Sequence, residues 1–339
     1  MFVKLLKGTM HTGRLLAGLL VYAVSGKTPA YAYQSMISLF CLTKGRSSDM
    51  LSAAIGLIRK PYAFGTAEGV LGSMTELAKE RVVSDLREHG YHVFDARLSE
   101  AMCDRLLEYA VSHPCKMRPM EGDGPDKARR VVYPRGNPET VRYDFSTQDL
   151  LADKDVQALL ADMSFPSVAQ DYLGARPVVD VLGMWWHTAY SDKPDMDAAQ
   201  YYHFDMDRPK WLKFFIYLTD VTADNGPHTF IAGSQQTGGI PESMLKKGYA
   251  RLGDEEVEGH YGRERVVEFV APRGTIIAED TRGLHKGKHV KHGDRLILQI
   301  QFSNSLFGGY YPKARLGKDV TESLRSRTGQ YPDLYTSYL

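Results

Sequence analysis

The chain is predicted to fold as an α+β protein, with helices first and short strands afterwards that close into a double-sheet jelly roll. Two patterns carry this expectation: helical periodicity dominates to about residue 173, and after Pro177 β-branched and aromatic runs alternate with Gly, Pro, Asn and Asp. Composition sets the bounds. Of 339 residues, 43% are apolar and 24% charged, with 42 Lys and Arg against 41 Asp and Glu. That balance fits a globular chain and argues against disorder or a nucleic-acid-binding surface. Cys41, Cys103 and Cys115 match neither a zinc ribbon nor a disulfide framework, which suits a reducing compartment such as the cytoplasm.

Residues 1–60 hold eight basic residues against Asp49 alone, a net of +7, which leaves −6 on the remainder. Leu15 to Val24 is an apolar run of ten residues, about half the length needed to span a bilayer. A basic start, this run and Ala30-Tyr31-Ala32 imitate a signal peptide. Lys27 and Pro29 interrupt that pattern, and further apolar and basic segments follow it. A helical extension over 1–70 is therefore expected. It either packs on the body or lies on an anionic membrane surface, at the inner face of the membrane in the second case.

The body begins at about residue 75. Leu77, Val82, Val83 and Leu86 mark an amphipathic helix that Gly90 ends, and a strand Tyr91 to Phe94 follows. Ser99 is placed to cap the next helix, which bears Met102, Leu106, Leu107 and Ala110 on one face through about His113. Residues 114–140, rich in Pro, Gly and Arg, read as a long surface loop, and more helix is expected between Thr147 and Leu173. Strands are expected at Val178 to Trp186, Lys213 to Leu218, Thr229 to Ile231, Arg265 to Val270, Thr275 to Ala278 and Arg295 to Ser303. The jelly roll thus spans about 177–305, inside a domain of 75–305 followed by a tail of 306–339.

The chemistry is suggested at Gln200-Tyr-Tyr-His-Phe-Asp205. In extended chain His203 and Asp205 point to one face, close enough to share a metal ion. His292-Gly293-Asp294 repeats the spacing, but Gly293 and its Lys- and Gly-rich surroundings mark a turn. His285, after the strand Thr275 to Ala278, is the best third ligand; His289 and His292 lie deeper in the following loop. Two histidines and a carboxylate leave open positions on iron(II) for a bidentate cosubstrate and oxygen. The returning strand puts Arg295, Ile297, Gln299 and Gln301 on one face, where Arg295 can grip a carboxylate bidentately, here that of 2-oxoglutarate.

At these residues the chain resembles the phytanoyl-CoA dioxygenase family of iron(II)/2-oxoglutarate oxygenases. The resemblance runs over roughly residues 75–305. It joins Leu86-Arg-Glu-His-Gly-Tyr-His-Val-Phe94, His203-Phe-Asp205, Phe215-Ile-Tyr-Leu-Thr-Asp-Val221, Asn225-Gly-Pro-His-Thr-Phe-Ile-Ala-Gly-Ser234, and His285 with Arg295 ten residues later. It implies a double-stranded β-helix, iron held by His203, Asp205 and His285, and 2-oxoglutarate anchored by Arg295. Lys286 and Gly287 stand where such enzymes often carry a small hydroxyl residue, which leaves the rest of the cosubstrate pocket open. Lys213, Tyr217 and Gln299 are candidate further contacts; Lys213 and Tyr217 read equally well as part of a barrel-lining aromatic row with a surface lysine.

Other residues are read more plainly. His228 is expected to be a structural turn residue and not a fourth ligand. Trp185 and Trp186 cannot both face inward from one strand. Asp207 and Arg208 either meet substrate at the barrel mouth or form a solvated pair. The implied reaction is hydroxylation of an unactivated C–H bond with O2 and 2-oxoglutarate, since the related halogenases lack the carboxylate ligand. The substrate is a small molecule, and the basic arm points to one that is lipid-linked or a saccharide at a membrane surface. Acyl-CoA or another small metabolite is the alternative within the family. A ligand-binding jelly roll without catalysis and a zinc or manganese cupin-like isomerase compete with the oxygenase, and neither of them needs Arg295.

Overall fold

The computed structural model of the chain describes residues 2–120 and 128–339. Three helices open it, α1 (Phe2–Ser25), α2 (Ala30–Thr43) and α3 (Arg46–Ile58), followed by a small hairpin of β1 (Ala67–Gly69) and β2 (Gly72–Met74). Next come α4 (Glu76–Glu88), β3 (Tyr91–Arg97), α5 (Glu100–Ser112), β4 (Pro114–Met117), β5 (Arg130–Val132), β6 (Arg142–Asp144), α6 (Thr147–Leu150), α7 (Lys154–Ala161) and α8 (Ser164–Leu173). The β-rich part contains β7 (Val178–Thr188), β8 (Trp211–Tyr217), β9 (His228–Ile231), β10 (Val266–Glu268), β11 (Thr275–Glu279), β12 (His285–Gly287) and β13 (Asp294–Ser303). Two short helices, α9 (Glu242–Leu245) and α10 (Asp254–Tyr261), fall between β9 and β10, and α11 (Glu322–Gln330) lies in the tail.

Local signals act where the sequence puts them. Thr75 and Ser99 accept hydrogen bonds from the amides of Ala78 and Met102 and so cap α4 and α5. Gly90 takes φ +92 after α4, and a Cβ there would come within 2.5 Å of Gln235, so no other residue fits this turn.

The strands form an eight-stranded sheet in the order β3-β11-β8-β13-β7-β6-β4-β5 and a three-stranded sheet β10-β9-β12, with antiparallel pairing throughout. This is the expected two-sheet roll. Alternation along β8 and β13 divides the interior. Leu212, Phe214, Ile216, Leu296, Leu298 and Ile300 pack with α4, α5, α7 and α8 in the main core, whereas Phe215, Tyr217 and Ile297 join Phe230, Phe269 and Ile277 in a second cluster between the sheets. Trp186 lies in the main core and Trp185 against the second cluster, so the two indoles do face opposite ways.

The predicted loop over 114–140 needs correction. It carries β4 and β5, which extend the edge of the large sheet, because Cys115 and Met117 alternate as buried residues among Pro, Lys and Arg. Residues 121–127 of that loop lie outside the described residues.

The N-terminal helices pack on the body. Phe40 stacks on Phe204 with ring centroids 5.3 Å apart, Tyr22 meets Phe307 edge to face at 5.5 Å, and Ala32, Met36 and Leu39 share a buried cluster with Trp211 and Ile240. Asp49 of α3 accepts from Arg282, and Ser52 bonds Asn304. Among the described residues no helix is long and apolar enough to cross a membrane.

Asp207 and Arg208 do not form a solvated pair. Arg208 turns inward and clamps Asp180 bidentately at 2.6 and 2.8 Å, while its third nitrogen holds the carbonyls of Leu306 and Gly309. Both side chains are buried, and Asp180 also accepts from Ser303 and Gln301. Removing one partner strands the other charge. Asp180→Ala is therefore expected to lower the unfolding free energy by about 3–5 kcal/mol in a urea titration. A loss below about 1 kcal/mol would mean that water, and not Asp180, compensates Arg208.

Candidate active site

Segment 203–205 is laid alongside 281–285 by backbone bonds. His203 N donates to His285 O at 3.0 Å, His285 N donates to His203 O at 2.9 Å, and Asp205 N donates to Thr281 O at 2.8 Å. This narrow ladder places the two imidazoles with centroids 4.3 Å apart. Asp205 closes the group, its carboxylate oxygens 3.8 Å from His203 Nε2 and 3.5 Å from His285 Nε2. One donor atom from each of the three residues lies within 4.8 Å of the others, an arrangement that could hold a metal ion.

Both rings are oriented for coordination through Nε2. The Nδ1 of His203 bonds Tyr201 O at 2.9 Å and that of His285 bonds Gly283 O at 3.0 Å, which fixes each tautomer and leaves Nε2 free as a ligand. Electrostatics favours the same state. Burial, and then the neighbouring imidazole, hold His203 well below its ordinary pKa. Burial also lowers His285, outweighing the opposing influence of Asp205 and, after it, of Glu279. Burial alone would raise Asp205, but Lys213 and the two histidines overcome it and keep the carboxyl far below the usual range.

Lys213 is placed differently from its expected role. Its Nζ bonds Asp205 Oδ2 at 2.5 Å and approaches Asp207 at 3.9 Å, so it meets the carboxylate of the candidate metal site and not Arg295. The Tyr217 hydroxyl is committed to backbone, donating to Phe269 O and accepting from His228 N. Gln299 lies on the same face of β13 as Arg295, opposite Gly183 and Phe215.

Arg295 is 1% exposed. Its Nη2 meets His187 Nδ1 at 2.6 Å, while Nε and Nη1 have no partner. Burial, the largest influence, lowers its pKa to about 10; Tyr217 opposes this and Arg142 adds to it. No carboxylate appears among these influences. A buried guanidinium with two unanswered donors is costly unless an anion completes it, and a ligand carboxylate could accept from one of them together with the second N–H of Nη2. Gly287 lies beside this gap, since a Cβ there would sit 3.1 Å from Arg295 Nη2. The departure noted at Lys286 and Gly287 thus becomes intelligible. Lys286 leaves the pocket for Asp254 and the face of Tyr202, and Gly287 keeps the space beside the guanidinium open.

Sequence reasoning missed two residues. His187, opposite Arg295 in the β13–β7 register, is kept neutral by burial and by Arg295, donates from Nε2 to Ala198 O and accepts from Arg295 through Nδ1. Carrying the alternation one step past Trp186 would have found it. Glu279 ends β11 and is fully buried against His228, 3.0 Å from Nε2. Burial raises Glu279 to about 8 and lowers His228 to about 3, so at neutral pH they form an uncharged acid–imidazole pair. His228 is therefore the first residue of β9 and an interior packing partner of Phe215 and His285, and not a turn residue. The Asn225-Gly226-Pro227 turn directly before His228 explains the misreading.

The sequence family described as Phytanoyl-CoA dioxygenase (PhyH) matches residues 86–294. No curated protein matches the chain. Among solved structures, EctD from S. alaskensis in its apoform aligns at 17% identity with a TM-score of 0.50, over 75% of this chain and 89% of that one. HygX from Streptomyces hygroscopicus, with nickel, 2-oxoglutarate and hygromycin B bound, aligns at 14% identity and a TM-score of 0.44, over 71% of this chain and 93% of that one. The α-ketoglutarate-dependent epimerase SnoN from nogalamycin biosynthesis aligns at 16% identity and a TM-score of 0.45, over 67% of this chain and 84% of that one. The EctD likeness agrees with the two-sheet roll.

With all three donors already in ligand form, metal binding should release no proton from them. Manganese(II) affinity, titrated calorimetrically in buffers of different ionisation enthalpy, is expected to stay flat between about pH 6.5 and 8 and to fall only at lower pH. His203→Ala and His285→Ala should each lose more than the roughly 10–100-fold typical of supporting residues, with His289→Ala and His292→Ala unchanged. A loss in either of the last two would displace His285 from the set.

Proposed function

Because the chain belongs to the phytanoyl-CoA dioxygenase family, and is thus an iron(II)/2-oxoglutarate-dependent oxygenase, we propose that it hydroxylates an unactivated C–H bond of a small molecule. His203, Asp205 and His285 would hold the iron and Arg295 the distal carboxylate of 2-oxoglutarate. Bound iron with its cosubstrate supplies the oxygen activation that no side chain can. The unanswered donors of buried Arg295 are the observation that carries this reading, because an isomerase or a passive binding roll has no use for them.

The chain's own groups have definable tasks. His187 takes one N–H of Nη2 and so fixes the guanidinium plane, and a ligand carboxylate would pair with the second N–H of Nη2 and whichever of the unanswered Nε and Nη1 shares its edge. Lys213 donates to one oxygen of Asp205, which limits that carboxylate to a single free oxygen for the metal and orients it between the histidines. The retained carboxylate favours hydroxyl transfer over halide transfer, since halide would need its position. Phe215 and His228 pack against each other with ring centroids 4.6 Å apart and exclude water from the site's inner wall.

The mouth supports a polar or lipid-linked substrate carrying hydroxyl groups, such as a saccharide. Tyr33 from α2, Tyr249 after α9 and Tyr311 from the tail all lie within the electrostatic reach of Asp207. Burial and then Asp205 raise Asp207 to about 6, so it can accept or donate near neutrality. Aromatic faces beside a carboxyl group suit the apolar face and hydroxyls of a sugar ring.

Anaerobic addition of iron(II) and 2-oxoglutarate should produce the visible charge-transfer band of the chelate, and air should convert 2-oxoglutarate to succinate. Arg295→Met should raise the 2-oxoglutarate concentration for half-formation of the band by at least about 30-fold, the low end of the cost of breaking a buried charge pair. A band of unchanged affinity in this variant would move the cosubstrate away from Arg295. Metabolite extracts incubated with and without the holoenzyme should then show a product heavier by one oxygen atom.

A further inference from the structure

The outer side of α1 is apolar where a surface helix of a water-soluble body should be polar. Its inner side is fixed by Gly18, whose missing Cβ admits Ala32 of α2, and by buried Leu15. Helical periodicity turns Leu5, Leu6, Leu16, Leu20 and Val24 away from that contact, and Leu20 and Val24 are 72% and 92% exposed. The exposed face continues onto α3. Leu16, Leu42 of α2 and Met50 of α3 line one open cavity of about 770 Å³, and Leu57 beyond it is also exposed.

Charge identifies what fits this face. Lys7, Arg14, Lys27 and Arg46 are exposed around it. Neither α1 nor α2 contains an acidic residue, and Asp49, the single acid of residues 1–60, is taken up by Arg282 and Thr237. A second copy of the chain would bring the same cations against themselves across a two-fold axis, which is unfavourable. A helix with one broad apolar face, cations along its flank and too little apolar length to span is the form that lies in a lipid interface.

We propose that the outer face of α1, continued by α3, docks the protein on an anionic lipid bilayer. The apolar side chains enter the headgroup and acyl boundary while Lys7, Arg14 and Arg46 meet lipid phosphates and carboxylates. Helix α2, packed against both α1 and α3, stacks Phe40 on Phe204 beside the metal-site segment and so joins the docking helices to the catalytic end of the roll. The proposal does not rest on the reaction assigned above, and its readout is separate from turnover.

Removing residues 1–60 would also strip Phe40 from Phe204 and Asp49 from Arg282, so point variants of the full chain are the proper test. Wild-type protein is sedimented with phosphatidylcholine vesicles with or without phosphatidylserine. Partitioning is expected to rise at least about tenfold with phosphatidylserine and to weaken with salt. Lys7→Gln with Arg14→Gln should reduce binding about fivefold per cation removed. Leu16→Asp with Leu20→Asp and Val24→Asp should abolish binding to either vesicle, while circular dichroism and iron-dependent succinate formation remain as in wild type. Wild-type protein that stays in the supernatant with both vesicles overturns the proposal. So does a wild-type dimer that the triple Asp variant dissolves to monomer, because a second copy would then cover the face. Loss of succinate formation with vesicle binding intact would instead count against the assigned reaction alone.

Discussion

The reciprocal backbone pair between His203 and His285 is the constraint on which the catalytic end of the molecule depends. These residues come from separate segments, one in the long connection between β7 and β8 and the other at the start of β12. Two hydrogen bonds of 2.9 and 3.0 Å between their main chains bring both side chains to one side of a narrow ladder. The third bond, Asp205 N to Thr281 O, extends the ladder and sets the carboxylate against the histidines. The triad is therefore held by main chain as much as by side-chain packing. Tyr172, Asp280 and Arg282 brace the same segment from below, and Asp49 reaches it from α3.

Charge is distributed around this ladder with a clear division of labour. Lys213 and Asp205 compensate each other inside the roll, which keeps Asp205 ionised where burial would otherwise protonate it. Arg295 has no such partner and meets only a neutral imidazole and a phenol's influence. Glu279 and His228, which could have supplied a balancing charge, cancel as an uncharged pair. Among the described residues of the cavity, Arg295 thus remains a buried guanidinium with two unanswered donors and no carboxylate beside it, which an anionic ligand would compensate.

Much of this was legible in the chain because it is encoded locally. Thr75, Ser99 and Gly90 act within one helical turn, and the alternation of β8 and β13 separates Phe215, Tyr217 and Ile297 from Phe214, Ile216 and Leu296 without any knowledge of partners. What stayed hidden depends on contacts between distant segments. No local pattern tells that Arg208 turns inward to Asp180, that Lys213 takes Asp205, or that Arg295 meets His187 of the neighbouring strand. β4 and β5 escaped because they are only four and three residues long and are interleaved with Pro, Lys and Arg, which makes them look like loop. His228 was misplaced because the Asn225-Gly226-Pro227 turn ends one residue before it, and strand membership begins at that residue.

The near-zero net charge of the whole chain conceals a division that the fold turns into geometry. The cations of residues 1–60 could have formed ion pairs with the acidic remainder, and a purely structural extension would be expected to use them so. Instead the helices are attached mainly through apolar and hydroxyl contacts, Phe40 on Phe204, Tyr22 on Phe307 and Ser52 on Asn304, and through their single acid, Asp49. Lys44 makes a partly exposed contact with Glu242, a kind of pair that contributes little to stability, while Lys7, Arg14 and Arg46 stay exposed. An extension that spends its acid and its buried aromatics on the body, and leaves cations and leucines outward, is organised for a second contact beyond the fold.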